Sequence, residues 1–352
     1  MSTVHGGFDT AELRAANLTR DQVLDFSSNI NPLGPSPRVR QAAAEADLSA
    51  YPDRECLILR EALAVRLGVG VDQLLVGNGS TELIHLLAHA HVPPWSTCLV
   101  FAPTFGEYEA AADATGAHME FVVSAAADGF RWSIDAAVET IAATRPALVF
   151  LCNPNNPTGV YLDRESVERL CAAVGPDGLL ALDTSYVPLA DAGWDALPLL
   201  QRGNVALLHS MTKDHAVAGV RLGYMAAPPP VVEASRHLQP SWSVNAVAQA
   251  VGLAALADAA HVAAAREVIA ESKAQLQAQL AALGVPAVPS AANFMLVRVG
   301  DAAGVRRALL RRRILVRDCT SFGLPDFIRI AVRRPEECAR LVAALRDVLA
   351  HG

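Results

Sequence analysis

Charge and paired cysteine are what this sequence has least of. Its six cysteines are scattered with no CxxC pair, which is the usage of a reduced, cytoplasmic chain rather than of a disulfide framework. Charged residues make up 18% and the net charge is −7, so nucleic acid or an anionic membrane is not the expected partner. The one basic cluster, "RRALLRRR" at 306–313, has the spacing of an amphipathic helix with a solvated face. No run of eighteen apolar residues occurs, and "MSTVHGGFDT" contains no apolar signal core; a soluble, cytoplasmic protein is expected. Fixed-period repeats and low-complexity linkers are absent too.

Apolar residues are plentiful, at 52% of 352 positions, enough for one large domain or two coupled ones. Short apolar runs at 73–77, 97–102, 147–152, 179–183 and 205–210 alternate with helical patterns at 80–90, 104–115 and 163–174. That alternation predicts an α/β layer with a largely parallel sheet. After residue 240 the pattern changes to a long alanine-rich helical stretch (246–282), strand candidates at 293–299, 314–318 and 327–332, and helices at 302–312 and 335–349. This predicts a smaller α+β C-terminal domain. "DFSSNINPLGPSP" is too rich in Pro, Gly and Asn for a regular element, so residues 1–35 are expected to form an arm on the small domain, with 36–240 the large domain and 241–352 the small one.

The suspicious polar residues all follow strand candidates, where open α/β sheets bind ligands. "NGST" places Ser80 and Thr81 at a helix start; that is either a plain N-cap or an anion site. "NPNNPTG" (153–159) is a rigid loop presenting three asparagines. Asp183 ends an apolar run, with Tyr186 three residues on; a carboxylate there needs a positive partner, a strong donor or a loop to cap. "SMTKDHAVAGVRLGY" sets one lysine and one arginine among small, apolar residues. A buried lysine is costly unless paired, neutralised or covalently used. An aldehyde cofactor with a pyridine nitrogen and a phosphate would use this whole set: Lys213 for the Schiff base and Asp183 for the ring nitrogen. Asn156 and Tyr186 would serve the phenolic oxygen, and Ser80, Thr81, Ser210 and Arg221 the phosphate. Phe105, in "PTFGEYE", is suited to stacking on the ring.

"HGG", "DFSSNINPLGP", "YPD", "GNGSTE", "PTFGEYE", "LCNPNNPTG", "SMTK…GVRLGY", "SWSVNA", "VRDC" and "FIRIAVR" occur in that order over nearly the whole chain. In them the chain resembles the fold-type I pyridoxal-phosphate enzymes of the aspartate aminotransferase superfamily, in the histidinol-phosphate aminotransferase branch. Within that branch it is most similar to the L-threonine-O-3-phosphate decarboxylases of cobalamin biosynthesis. The resemblance implies an aspartate-aminotransferase-like large domain with a mostly parallel seven-stranded sheet and pyridoxal 5'-phosphate as cofactor. It also implies a homodimer with shared active sites, in which Tyr51 reaches the cofactor phosphate from a second subunit. Arg329 would clamp a substrate carboxylate with Arg317 beside it, while His5 and Asn31 would enclose a substrate phosphate. Thr184, Asp214, His215 and Ala218 depart from the family pattern beside the cofactor.

Three activities are compatible with these residues. They are decarboxylation of threonine phosphate to aminopropanol phosphate, amino transfer on a phosphorylated or related amino acid, and cofactor binding without turnover. The carbon–substituent bond held perpendicular to the cofactor plane decides between the first two. His85 and His89 have i, i+4 spacing but no third metal ligand nearby, so no metal is expected. His215 reads as a pH-sensitive neighbour of Lys213, and Trp242 as the tryptophan nearest the site.

Overall fold

The chain is described here by a computed structural model that covers residues 5–350. A short strand of the N-terminal arm, β1 (Leu24–Asp25), precedes the large sheet. That sheet consists of β2 (Leu74–Gly77), β3 (Thr97–Ala102), β4 (His118–Val123), β5 (Leu148–Cys152), β6 (Leu179–Asp183), β7 (Val205–Ser210) and β8 (Gly223–Ala226). Its order is β2-β8-β7-β6-β5-β3-β4. Only β8 runs antiparallel to its neighbours. The strands β5, β6 and β7 are buried along their whole length, because helices cover both faces. This is why they read as unbroken apolar runs rather than alternating ones.

Side-chain alternation sorts the two faces. Leu99, Val149, Leu151, Leu180, Leu182 and Leu207 join one core cluster with Leu59, Leu63, Ile141, Val167 and Leu170 of the covering helices. Val100, Leu148, Phe150, Ala181 and Leu208 join the other, with Leu83, Ile84, Leu87, Tyr108 and Ala111. Each fully buried leucine or isoleucine contributes about 1.5–3 kcal/mol.

The C-terminal part adds β9 (Phe294–Arg298), β10 (Ile314–Leu315), β11 (Arg317–Asp318) and β12 (Phe327–Ala331). Strands β11, β12 and β9 form an antiparallel sheet in that order, and β10 pairs in parallel with β1 of the arm. Phe26 of the arm enters the same core as Ile269, Leu276, Met295, Ile328 and Leu341.

The alanine-rich stretch is two helices, Ala246–Leu256 and Ala259–Ala282, bent by 76°. Alanine favours helix throughout and supplies no breaker, so packing decides the bend. Ala248, Val251 and Ala255 lie in the large-domain core, whereas Ala265, Ile269 and Leu276 lie in the small one. The first of these helices thus packs with the large layer, C-terminal to the 240/241 division drawn from sequence.

Candidate active site

Strands β2, β5, β6 and β7 all end along one edge of the sheet, and there they deliver Asn78, Cys152, Asp183 and Ser210 to a cleft of about 520 Å³. Asp183 is buried. Its Oδ2 accepts a hydrogen bond from the Tyr108 hydroxyl (2.8 Å) and its Oδ1 accepts one from the Ser185 backbone N–H (2.9 Å). Two donors compensate a carboxylate taken out of water. Tyr108 stacks on Phe150 at 5.0 Å. Burial, with the charge of Asp183 adding to it, holds the Tyr108 phenol well above its ordinary pKa, so it stays a donor.

Lys213 sits in the single helical turn Met211–Asp214 that follows β7, half-buried in the cleft. Burial strips water from its ammonium and the guanidinium groups of Arg329 and Arg221 repel it. These outweigh the attraction of Asp183 and Asp214, and bring its pKa down to about 8. Arg329, from β12, is buried; its Nη1 donates to Asn156 Oδ1 and its Nη2 to the Ser27 carbonyl at 2.5 Å. Burial lowers its pKa while Tyr186 opposes the shift. Tyr186 receives a 3.5 Å contact from Asn29 Nδ2 and meets Phe294 edge-on.

Around Ser80 and Thr81 lies an anion cradle. The helix Gly79–His91 has no side-chain cap at Asn78, so its first N–H groups and the positive end of its dipole face the cleft. The Ser210 and Thr212 hydroxyls are 2.7 Å apart, and Arg221 closes the cradle. Gly79 has φ +78°, and a Cβ there would lie 2.4 Å from Arg221 Nη2. A Cβ on Gly223 would lie 2.7 Å from the Ser80 nitrogen. Both glycines are therefore required by close approach. With Phe105 on the wall of the same cleft and Asp183 within it, the residues present fit a phosphate joined to a protonated aromatic ring.

Not every expected residue faces this cleft. Asn31 is buried beneath it: its backbone N–H donates to the Lys213 carbonyl and its Nδ2 to the Asp214 carbonyl, both at 2.8 Å. It braces the lysine turn instead of enclosing a substrate phosphate, because the arm passes under that turn. Arg317 lines an adjoining cavity of about 390 Å³ that shares His5, Gly6 and Ser27 with the cleft. It pairs in register with Arg329 across β11 and β12 and donates to Ser321 Oγ at 2.6 Å. Burial and the neighbouring Arg329 lower its pKa to about 10. Tyr51 is 81% exposed and stacks on Trp242 at 4.7 Å, outside the cleft of its own chain. His5 lies in the cleft with its Nε2 2.8 Å from Glu107 Oε1, and Glu107 Oε2 meets His85 Nε2 at 3.1 Å. His89 is held by the His85 carbonyl, so these two histidines are engaged within the protein.

Tyr108, Ser185 and Glu107 are site residues that the sequence did not single out. Tyr108 and Glu107 stand inside the quoted "PTFGEYE", but nothing local shows that a tyrosine reaches an aspartate 75 positions on.

The model of the aminotransferase class I and II family matches residues 21–345. The chain belongs to that family. Pyridoxal phosphate, the cofactor expected from the sequence, is the family's cofactor and suits this cleft. A histidinol-phosphate aminotransferase of Symbiobacterium thermophilum is 39% identical over 335 residues, covering 94% of this chain and 91% of that protein. Among solved structures, the histidinol-phosphate aminotransferase of Sinorhizobium meliloti in complex with pyridoxal-5'-phosphate superposes with a TM-score of 0.88 at 25% identity, covering 98% of this chain and 96% of that one. The L-threonine-O-3-phosphate decarboxylase of Porphyromonas gingivalis gives a TM-score of 0.82 at 26% identity, covering 92% and 99%. The aspartate-aminotransferase-like fold is thus established. The family resemblance holds as well, although the relatives by sequence favour the aminotransferase over the decarboxylase placed first from motifs.

Proposed function

We propose that this protein is a pyridoxal-phosphate-dependent aminotransferase of the histidinol-phosphate type, acting on a primary amine that carries a phosphate or carboxylate. The observation that carries the reading is one cleft lined by Lys213, a doubly hydrogen-bonded Asp183 and two arginines, Arg221 and Arg329, in a family whose relatives by sequence bear that name. Decarboxylation of threonine phosphate is the second reading. It is favoured by the Porphyromonas gingivalis neighbour.

Bound pyridoxal phosphate supplies an aldehyde that captures amines and a ring that draws electrons from the substrate's α-carbon. The protein does the rest. Ser80, Thr81, Ser210, Arg221 and the helix N-terminus hold the phosphate. Asp183, itself fixed by Tyr108 and Ser185, keeps a proton on the ring nitrogen. Asn156 and Tyr186 serve the ring oxygen, and Phe105 covers one face. Lys213, at a pKa of about 8, is neutral in roughly a quarter of molecules at about pH 7.5, against about one in a thousand for an ordinary lysine. It is therefore both a competent nucleophile and a base able to carry the α-proton. Arg329, held by Asn156 and Ser27, presents its charge to the anionic end of the substrate, with Arg317 behind it.

The working unit of this proposal is a homodimer. Tyr51 and Trp242 stack on each other and are exposed; a second copy would cover this pair and bring Tyr51 to its phosphate cradle. Six free, buried cysteines support a reducing, cytoplasmic location. The test is incubation of holoenzyme separately with L-histidinol phosphate and L-threonine phosphate. Conversion of the cofactor to its amine form, reversed by 2-oxoglutarate, supports the proposal; carbon dioxide from threonine phosphate without that conversion supports the second reading.

A further inference from the structure

Directly behind the lysine lies a cluster that the roles above do not use. Asp214 is 5% exposed, yet His209 Nε2 lies 3.2 Å and His215 Nε2 3.5 Å from the same oxygen, Oδ2. Its other oxygen accepts the His215 backbone N–H at 3.1 Å. Both histidines are themselves buried, at 8% and 7% exposed. Three ionisable side chains thus lie together in a buried cluster, and the next residue back along the chain is Lys213. Asn31 ties the two backbone carbonyls of Lys213 and Asp214 to the arm. The cluster falls where the sequence departs from its family, at Asp214 and His215.

We propose that Asp214, held by His209 and His215, is a positioning residue for Lys213. Its carboxylate supplies a fixed negative charge behind the amine, and its bonds to the His209 ring and the His215 backbone N–H fix the turn from which the lysine projects. This inference rests on the reading of Lys213 as the cofactor lysine, but not on which reaction follows. Burial alone would raise the Asp214 pKa; the His209 hydrogen bond and the potentials of both histidines bring it below the ordinary carboxylate value instead. The carboxyl group therefore remains charged. Burial lowers the His215 pKa, with His209 and His261 acting the same way against Asp214 and Asp258. A neutral His215 still donates through Nε2 when the proton resides there. The negative charge of Asp214 opposes the loss of the lysine proton, so the cluster limits how far Arg329 and Arg221 depress Lys213.

Other charged and titratable groups face the cluster. Tyr224 of β8 packs its ring 4.9 Å from that of His209, with Arg66 acting on Tyr224. His261 and Asp258 act on His215 from the helix Ala259–Ala282 and its cap. Arg266 and Asp195 share with His209 the wall of a cavity of about 400 Å³.

The experiment compares wild type with Asp214→Asn and with the double variant His209→Gln/His215→Gln. Each is titrated as holoenzyme by the pH dependence of the bound cofactor's absorbance. The apoproteins are followed in parallel by the pH dependence of unfolding. Asp214→Asn should lower the absorbance midpoint by about half a pH unit or more, an approximately threefold change in the proton equilibrium. It should move the apoprotein's stability profile the same way. The double variant leaves Asp214 without its histidine donors, raises its proton affinity and should produce the same downward direction. It also serves if Asp214→Asn does not fold. Loss of stability with an unmoved midpoint in whichever variant folds would reduce the cluster to a packing element and overturn the proposal. Failure of the aminotransferase reading would change the products formed from substrate and leave this titration as described.

Discussion

Replacing Lys213 by methionine should make the apoprotein more stable, although it removes the amine proposed to bind the cofactor. Methionine keeps the length and apolar stem of lysine and removes only the charge. The lysine's ordinary pKa of 10.5 falls to about 8 in the folded chain. Each pH unit of that difference is worth about 1.4 kcal/mol, giving roughly 3 kcal/mol, which solvent at the open side of the cleft trims to about 2–3 kcal/mol. Below about pH 8 the lysine is protonated in both states, so the folded chain bears the whole cost of confining the charge. Between about pH 8 and 10.5 the unfolded chain keeps the proton that the folded chain has released, and wild-type stability rises with pH. Above that window both states are neutral and the cost is gone. Urea unfolding of the two apoproteins at pH 7 and again near pH 10.5 should therefore show a gain for Lys213→Met that is largest at pH 7 and vanishes at the higher pH. An equal gain at both pH values, or none at pH 7, would refute the claim that burial and arginine repulsion strain this lysine.

Tyr108→Phe removes one of two donors to Asp183; a lost hydrogen bond to a buried charge costs about 1.5–3 kcal/mol. The variant's cofactor should dissociate about tenfold more readily, measured by absorbance on dilution. Gly79→Ala forces a side chain into a positive-φ position already filled by the Arg221 guanidinium. The expected strain of about 1–3 kcal/mol should weaken cofactor binding at least about tenfold while leaving far-ultraviolet circular dichroism unchanged. Ile58→Glu replaces one exposed large apolar side chain by a charge. Sedimentation should show a monomer with loosened cofactor, whereas a dimer of unchanged affinity would place the subunit contact elsewhere.

Much of the large domain was legible because its strands are covered on both faces. The runs 97–102, 179–183 and 205–210 coincide with β3, β6 and β7, since a strand with no solvent face leaves an unbroken apolar signature. The edge strand β4 was missed: its residues His118–Val123 are mostly exposed or half-buried, so no apolar run marks them. β8 was missed because it begins within the lysine motif at Gly223, whose glycine is set by its approach to Ser80 and not by strand preference. That Ser80, Thr81, Asp183, Ser210, Lys213 and Arg221 meet in one cleft could be read from residue types at strand ends. Tyr108, which reaches Asp183 from a helix on the covering layer, could not, because that contact exists only after the helix Glu107–Asp113 has packed. Asp214 and His215 stood out as departures from the family, but the partner that gives them meaning, His209, was hidden inside a strand run that looked purely structural.

If Lys213 and Asp183 act on the cofactor and the arginines hold the substrate for amino transfer, as proposed, the decisive experiment mixes holoenzyme with a stoichiometric amount of L-histidinol phosphate in the absence of any oxo acid. The spectrum is then followed through one turnover. The bound cofactor should convert to its amine form, and the starting spectrum should return on adding 2-oxoglutarate. A cofactor spectrum that remains in its aldehyde form with this amine, together with carbon dioxide released from L-threonine phosphate under the same conditions, would contradict the proposal.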